Sequence, residues 1–177
     1  MRIVVDAMGS DDFPAPDVEG AVQAAREFGC EIALTGDQRR IKAELDKHDH
    51  SGLKIEIVHT DVMVTMEDKP QEVFRGRTGS SMHAGMELVQ DGNADGFVSC
   101  GNTGAVHAIG TLGKIRRIRG VYRPALTSIV PVYGKPFILV DVGANVDCKP
   151  EWLLQFAIMG SIYAERVLKR SNPRVAL

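Results

Sequence analysis

Between Asp141 and Glu151 the sequence reads DVGANVDCKPE, which sets two carboxylates, a turn-forming Gly-Ala-Asn and a lysine directly after a strongly apolar run. The run Pro136 to Val140 reads as a buried strand, and Pro150 stands at the first turn of an apolar-periodic segment, so a helix starts there. Asp141, Asn145, Asp147 and Lys149 are therefore expected at a strand-to-helix loop, the place where open α/β sheets hold their ligands.

Three further segments have the residue types to handle an anion. SCGNTGA, Ser99 to Ala105, follows a strand and opens a helix. Asn102 can cap that helix while Thr103 and Gly104 supply backbone N–H groups. It has neither the GxxxxGK[ST] nor the GxGxxG spacing, so it reads either as a phosphate cradle or as a tight strand–helix turn built from small residues. In FRGRTGSSM, Phe74 to Met82, Arg75 and Arg77 precede Ser80 and Ser81 at a helix N-terminus. Two guanidinium groups there would neutralise a phosphate dianion, or the segment is a solvated loop with a capping serine. DAMGSD, Asp6 to Asp11, is a strand end followed by a small-residue turn. Asp6 could orient a ligand hydroxyl or a neighbouring Asn, and Asp11 or Asp12 could cap a helix.

These segments need a scaffold. Short β-rich runs at Arg2–Asp6, Glu31–Thr35, Lys54–His59, Gly96–Ser99, Leu126–Val130 and Phe137–Val140 alternate with helical spacing over Pro16–Phe28, Gln38–Lys47, Ser81–Gln90, Thr103–Ile115 and Glu151–Leu168. That alternation predicts parallel βαβ units with helices on both faces of the sheet. Thr60 to Gly79 is the least periodic stretch and reads as a long functional loop with one helical turn. Arg174 to Leu177 reads as the opening of another strand.

Bulk properties narrow the field. The chain has 177 residues with 44% hydrophobic content, enough for one well-formed core, and its formal net charge of -2 disfavours general nucleic-acid binding. No apolar run approaches membrane-spanning length, and MRIVVDAMG lacks a secretory core. Cys30, Cys100 and Cys148 are widely spaced without a CxxC pattern, which fits a reducing cytoplasm. His59, His83 and His107 lack metal-site spacing, and no metal or other cofactor is indicated. Met63, Met66, Met82, Met86 and Met159 read as core or as the lining of an apolar groove.

Taken in order, DAMGSD, the SSM of residues 80 to 82, CGNTGA, RPAL at 123 to 126, DVGANVDCKPE, QFAIMGSIYAE at 155 to 165 and NPRVAL at 172 to 177 resemble the phosphate acyltransferase PlsX family of bacterial phospholipid synthesis. The resemblance spans the whole chain and implies a three-layer α/β/α fold with a mostly parallel sheet, similar to the isocitrate and isopropylmalate dehydrogenases and to phosphotransacetylase. Residues 1–177 are then a single α/β domain, the N-terminal part of a longer acyltransferase. The implied reaction converts acyl-[acyl carrier protein] and inorganic phosphate to acyl phosphate and free carrier protein. The alternative is a truncated, inactive phosphate-binding domain that serves as a binding or assembly partner. The resemblance also implies a homodimer, in the cytoplasm or peripheral to the inner face of the cell membrane through the downstream acyltransferase.

Phosphate is already an anionic nucleophile and a thiolate leaves readily, so positioning and charge stabilisation dominate such a reaction. Asn102, Asn145, Lys149, Asp141 and Asp147 are the expected catalytic group, the two aspartates as orienting groups. Asp6, Arg75, Arg77, Ser80, Ser81, Gly101, Thr103 and Gly104 are expected to bind phosphate or substrate. Carrier proteins of this class are acidic, so Arg116, Arg117 and Arg119, in a basic run that includes Lys114 and Arg123, either dock the carrier or form a solvated helix end. Cys148 suggests a covalent route, but Asp147 opposes thiolate formation and no histidine is close in sequence, so it reads as a bystander. The chain departs from the family at several positions, among them Gly76 and Thr78 in a loop that is generally more basic. Ser10 replaces a glycine and would be strained if the turn needs positive φ, Tyr122 replaces an acid, and Trp152 replaces a histidine.

Overall fold

Period-2 alternation in the strands decides which side chains face which layer. The computed structural model describes residues 1–177 except Lys114, Ala144 and Val146. The chain divides into two compact units, Met1–Arg116 and Arg117–Leu177.

In the first unit, β1 (Arg2–Asp6), β2 (Glu31–Gly36), β3 (Ile55–His59) and β4 (Gly96–Val98) form a parallel sheet in the order β3-β2-β1-β4. The register sets Ile3 beside Ile32 and Ile32 beside Ile55, then Val5 beside Leu34 and Leu34 beside Ile57. Those residues pack on Val18, Ala21, Val22 and Ala25 of α1 (Ala15–Phe28) and Ile41 and Leu45 of α2 (Gln38–Leu45). The alternate residues, Val4 and Ala33, face the other way, onto Leu88 and Val89 of α4 (Ser81–Gln90) with Phe97. Helices therefore cover both faces of a parallel sheet, the α/β/α architecture that the sequence pattern predicts. Leu34 is fully buried in a central strand, and truncating such a side chain to alanine costs about 2–5 kcal/mol.

Helix ends follow local chemistry. Pro16 occupies the first turn of α1, and Gly29 closes it at φ 62°, its N–H bonded to the Ala25 carbonyl at 3.0 Å. Asp37 caps α2 by accepting from the Arg39 and Arg40 N–H groups. The stretch 60–79 holds more order than its sequence pattern shows. It contains α3 (Pro70–Gly76), a two-turn helix begun by Pro70, and Val62 bridges to Ser80. α5 (Thr103–Ala108) runs into a π-helical segment, Ile109–Gly113.

The second unit pairs β5 (Thr127–Val130) with β6 (Phe137–Val140) beside α6 (Pro150–Arg166). The pair is antiparallel, with Thr127 opposite Val140 and Val130 opposite Phe137, where the alternation alone predicts parallel strands. Six residues link the two strands, and a parallel crossover needs a dozen or more. β6 is also less buried than its composition predicts. Val140 meets α6 at Gly160, whereas Phe137 and Leu139, on the opposite face, are 46% and 45% exposed. Residues 174–177 have no strand pairing.

Candidate functional site

The strand order places β2 and β3 on one side of β1 and β4 on the other, so the chain reverses direction across the sheet between β1 and β4. Such a switch point opens a crevice beyond the carboxyl ends of the two strands. The loops that flank it are DAMGSD after β1 and SCGNTGA after β4, and they touch. A methyl group added at Gly101 would lie 3.0 Å from the Gly9 Cα, and one at Gly9 would lie 2.8 Å from both Asp6 Oδ2 and Ser99 Oγ. Both positions need the missing side chain for this approach.

Asp6 ties the loops together from below. Its Oδ1 accepts from the Met8 N–H at 3.2 Å, and its Oδ2 accepts from the Ser99 hydroxyl at 2.8 Å. Ser99 Oγ in turn accepts from the Gly101 N–H at 3.0 Å. Burial raises the Asp6 pKa, opposed in part by Ser81, Ser99 and the Met8 N–H. The Ser81 hydroxyl lies beside this carboxylate without the geometry of a full hydrogen bond. The FRGRTGSSM segment therefore reaches the same place through the start of α4. Asp6 has no exposed surface, so in this geometry it holds protein groups, not the asparagine or ligand hydroxyl considered from sequence.

Ser10 resolves one departure. It does not adopt positive φ, so the turn carries no strain from it. Its hydroxyl donates to Asp17 Oδ2 at 2.6 Å. Burial raises the Asp17 pKa, Ser10 opposes that, and the nearby Asp6 charge adds to it. Asp11 and Asp12 are exposed and neither caps α1, which has no side-chain cap.

Ser80 and Asn102 cap their helices as their positions predict. Ser80 accepts from the His83 N–H and its Oγ lies 2.8 Å from His83 Nδ1, all buried. Asn102 Oδ1 accepts from the Ala105 N–H at 3.0 Å. Its Nδ2 donates to the Thr65 carbonyl at 3.1 Å and the Asp68 carbonyl at 2.8 Å, with Met66 O at 3.4 Å. That amide is occupied in clamping the 65–68 loop, so here it is not available as an oxyanion donor. Arg77 clamps the same region, since its Nη1 donates to the Met63 carbonyl at 2.8 Å and its Nη2 pairs with Asp68 Oδ1 at 2.8 Å. Asp68 is held below the usual carboxylate range, chiefly by the Thr65 N–H, then by the Thr65 hydroxyl and Arg77. Arg75 on the last turn of α3, Thr103 at the start of α5 and Cys100 are exposed. Pro70 packs against Gly104, which brings the starts of α3 and α5 together. Met82 and Met86 are core residues, and Met66 is exposed.

The DVGANVDCKPE motif lies in the second unit. Asp141 sits at φ 66°, with its N–H bonded to the Leu126 carbonyl at 2.7 Å. Its Oδ1 accepts from Asn145 Nδ2 at 2.9 Å, and that amide also reaches the Pro124 carbonyl at 3.4 Å. Asp141 thus orients an asparagine, and in doing so it occupies the amide N–H groups an oxyanion would need. Cys148 Sγ donates to Asp141 Oδ2 at 3.3 Å. Burial, that bond, and the charges of Asp141 and Asp147 all raise the thiol pKa, which disfavours a nucleophilic thiolate. Lys149 precedes α6 and its Nζ lies 5.9 Å from the Trp152 ring, over which Arg123 also sits at 4.9 Å. Asp147 and Lys149 are exposed. Ala144 of the Gly-Ala-Asn turn and Lys114 of the basic run lie outside the described residues. Arg116, Arg117 and Arg119 are exposed, the first in one unit and the other two in the second.

The clamps made by Asn102 and Asp6 were not legible in sequence. Asn102 holds backbone carbonyls more than thirty residues away in the chain, and carbonyls leave no side-chain signature. For Asp6, the one readable sign was a carboxylate at the end of an apolar strand.

Comparison with known proteins gives consistent results. The profile of a family described as fatty acid synthesis protein matches residues 1–177. A phosphate acyltransferase of Trichlorobacter lovleyi is 46% identical over the whole chain, which covers 51% of that relative. One of Alkaliphilus oremlandii is 47% identical over 99% of the chain and 52% of its own length. The chain spans about half the length of these curated relatives. Among solved structures, a phosphotransacetylase from Streptococcus pyogenes aligns with TM-score 0.69 at 19% identity, over 96% of this chain and 55% of that one. The EutD phosphotransacetylase from Staphylococcus aureus aligns with TM-score 0.65 at 20% identity, over 93% and 52%. The chain therefore has the fold of these phosphotransacetylases.

Proposed function

Because the chain belongs to the fatty acid synthesis protein family, we propose that it is part of an acyltransferase that moves a fatty acyl group from acyl carrier protein to inorganic phosphate, in phospholipid synthesis. The observation that carries this reading is the meeting of the DAMGSD and SCGNTGA loops at the β1/β4 switch point, with the SSM segment beneath them. In the reaction a phosphate oxygen attacks the thioester carbonyl, the C–S bond breaks, and the carrier thiolate leaves and takes a proton. Phosphate needs no strong base for this, only charge neutralisation and alignment.

Within the first unit we assign phosphate contact to the exposed Arg75 and to the Thr103 and Gly104 end of the α5 loop; within the second, Lys149 is the exposed cation of the DVGANVDCKPE motif. Asp6, Ser80, Ser81, Gly101, Asn102 and Arg77 frame the crevice. Asp141 orients Asn145, and Asp147 lies beside them in sequence. Arg116, Arg117 and Arg119 attract the acidic carrier. The two units belong to one α/β domain of a homodimeric enzyme, cytoplasmic or peripheral to the inner membrane face. Among the described residues no helix is long and apolar enough to cross a membrane.

The test is phosphate-dependent formation of acyl phosphate from acyl-[acyl carrier protein], measured for the 177-residue chain and for a full-length form. Turnover that falls by about 10²-fold or more in Arg75→Ala and Lys149→Ala supports the reading. Phosphate binding without turnover in either form would favour the inactive binding domain instead.

A further inference from the structure

Between Gly96 and Val140 the chain carries six basic residues and no acidic one, although its formal net charge is -2. This stretch is therefore net positive, while the rest of the chain is net negative. Within the second unit that stretch contains a turn with defined internal bonding. The Val121 N–H bonds to the Ile118 carbonyl at 3.0 Å, and Gly120, third in the turn, lies at φ 90°, a conformation that favours glycine there.

Gln155 of α6 holds this turn from both sides. Its Nε2 donates to the Gly120 carbonyl at 2.8 Å and its Oε1 accepts from the Tyr122 N–H at 2.8 Å, so the carboxamide pairs with the backbone as a neighbouring strand would. Arg117 Nη1 adds a bond to the Tyr122 carbonyl at 2.6 Å. The result displays Ile118, 75% exposed, between the exposed Arg117 and Arg119, with Tyr122 also largely exposed. An isoleucine kept in water on a held turn gains nothing from its own unit. Buried in a partner, it would contribute the energy of an interface anchor at little ordering cost, because the turn is already fixed.

We propose that the turn from Arg117 to Tyr122 is a docking tip for an acidic protein surface. Ile118 enters an apolar notch in that surface, Arg117 and Arg119 meet carboxylates on the rim, and Gln155 is the positioning residue that holds the tip in shape. The tip rests on the acyltransferase reading, in which the acidic partner is the carrier that delivers the acyl group. An anionic bilayer would meet the same charges, but one aliphatic side chain on a turn buries far less than the apolar face of an interfacial helix, so a protein is the better fit.

The test measures binding of holo acyl carrier protein to the 177-residue chain by calorimetry across a salt series, with vesicles of phosphatidylglycerol as a second probe. Ile118→Ser, a surface change that leaves the fold intact, should weaken carrier binding by about tenfold with the salt slope unchanged. Arg119→Ala should weaken it and flatten the slope, as lost charge pairs do. Gln155→Ala should weaken it severalfold, and Gly120→Ala, which strains the same turn by another route, should match it. Carrier binding that Arg119→Ala weakens but Ile118→Ser leaves equal to the unmodified chain would overturn the tip while leaving the carrier reading intact. Absence of carrier binding at low salt would overturn both. Vesicle binding that Ile118→Ser abolishes, without carrier binding, would assign the turn to a membrane and overturn the proposal.

Discussion

Asp6 has two well-made hydrogen bonds and no exposed surface, and that balance sets a pH signature. Desolvation is the largest influence on it and exceeds what Ser81, Ser99 and the Met8 N–H return, so the folded carboxyl keeps its proton to higher pH than an ordinary solvated aspartate does. A carboxyl whose pKa is raised by folding contributes stability that is fully present below its unfolded pKa and is lost as pH rises through the folded one. Asp6→Asn removes that loss, preserves the shape, and relieves the repulsion on Asp17. Its melting temperature minus that of the unmodified chain should be most positive at neutral pH and should shrink as pH falls toward about 4, where an ordinary aspartate takes up its proton. Calorimetric melts across that range check the sign. A difference independent of pH would mean that Asp6 is solvated like a surface carboxylate. The same residue shows the limit of reading roles from type alone: a strand-end aspartate invites a ligand, and only its enclosure shows it bonding protein groups.

At the scale of elements, the strands were legible because alternation carries the face each residue takes, and the parallel sheet followed from helices between β1, β2 and β3. Direction was not legible for β5 and β6, since hydrophobic alternation is the same read either way and only the short connection decides it. α3 was read only as one helical turn, unplaced within 60–79, because seven residues hold too few periods to stand out, although Pro70 marks its start. The glycines were legible as a loop signal, but the approach that requires them was not. A methyl group at Gly101 meets Met82 Cε at 2.8 Å and the Gly9 backbone at 3.0 Å, whereas Gly20 in α1 has nothing within 4 Å. Gly101→Ala should therefore cost about 1–3 kcal/mol and weaken phosphate binding, because the two switch-point loops must separate. Gly20→Ala, on an open helix face, should add about 0.5–1 kcal/mol of stability and leave binding unchanged. Urea melts with phosphate titrations followed by phosphorus NMR distinguish the two. Equal effects at both positions would mean that the contact between the loops does not shape the site.

Across the whole molecule, apolar burial is unevenly shared. The three clusters of buried residues all lie in Met1–Arg116, where they fill both sides of the sheet. Among the described residues of Arg117–Leu177 only Phe156 and Ala164 are buried apolar residues, while Phe137, Leu139, Leu154, Ile158 and Ile162 remain substantially exposed. Leu154, Ile158 and Ile162 recur every fourth residue, so one face of α6 stays in water. A domain of that size is marginal even with a complete core, and a two-stranded sheet with one helix does not supply one. Residues 1–116 expressed alone should therefore unfold in one cooperative transition with a clear denaturant midpoint. Residues 117–177 alone should show low cooperativity and bind a hydrophobic dye. Because the loops after β1 and β4 both belong to the first fragment, it should also keep the phosphate affinity of the 177-residue chain to within about tenfold. Complete loss of phosphate binding in a folded 1–116 fragment would remove the anion site from the switch-point loops and assign it to the second unit.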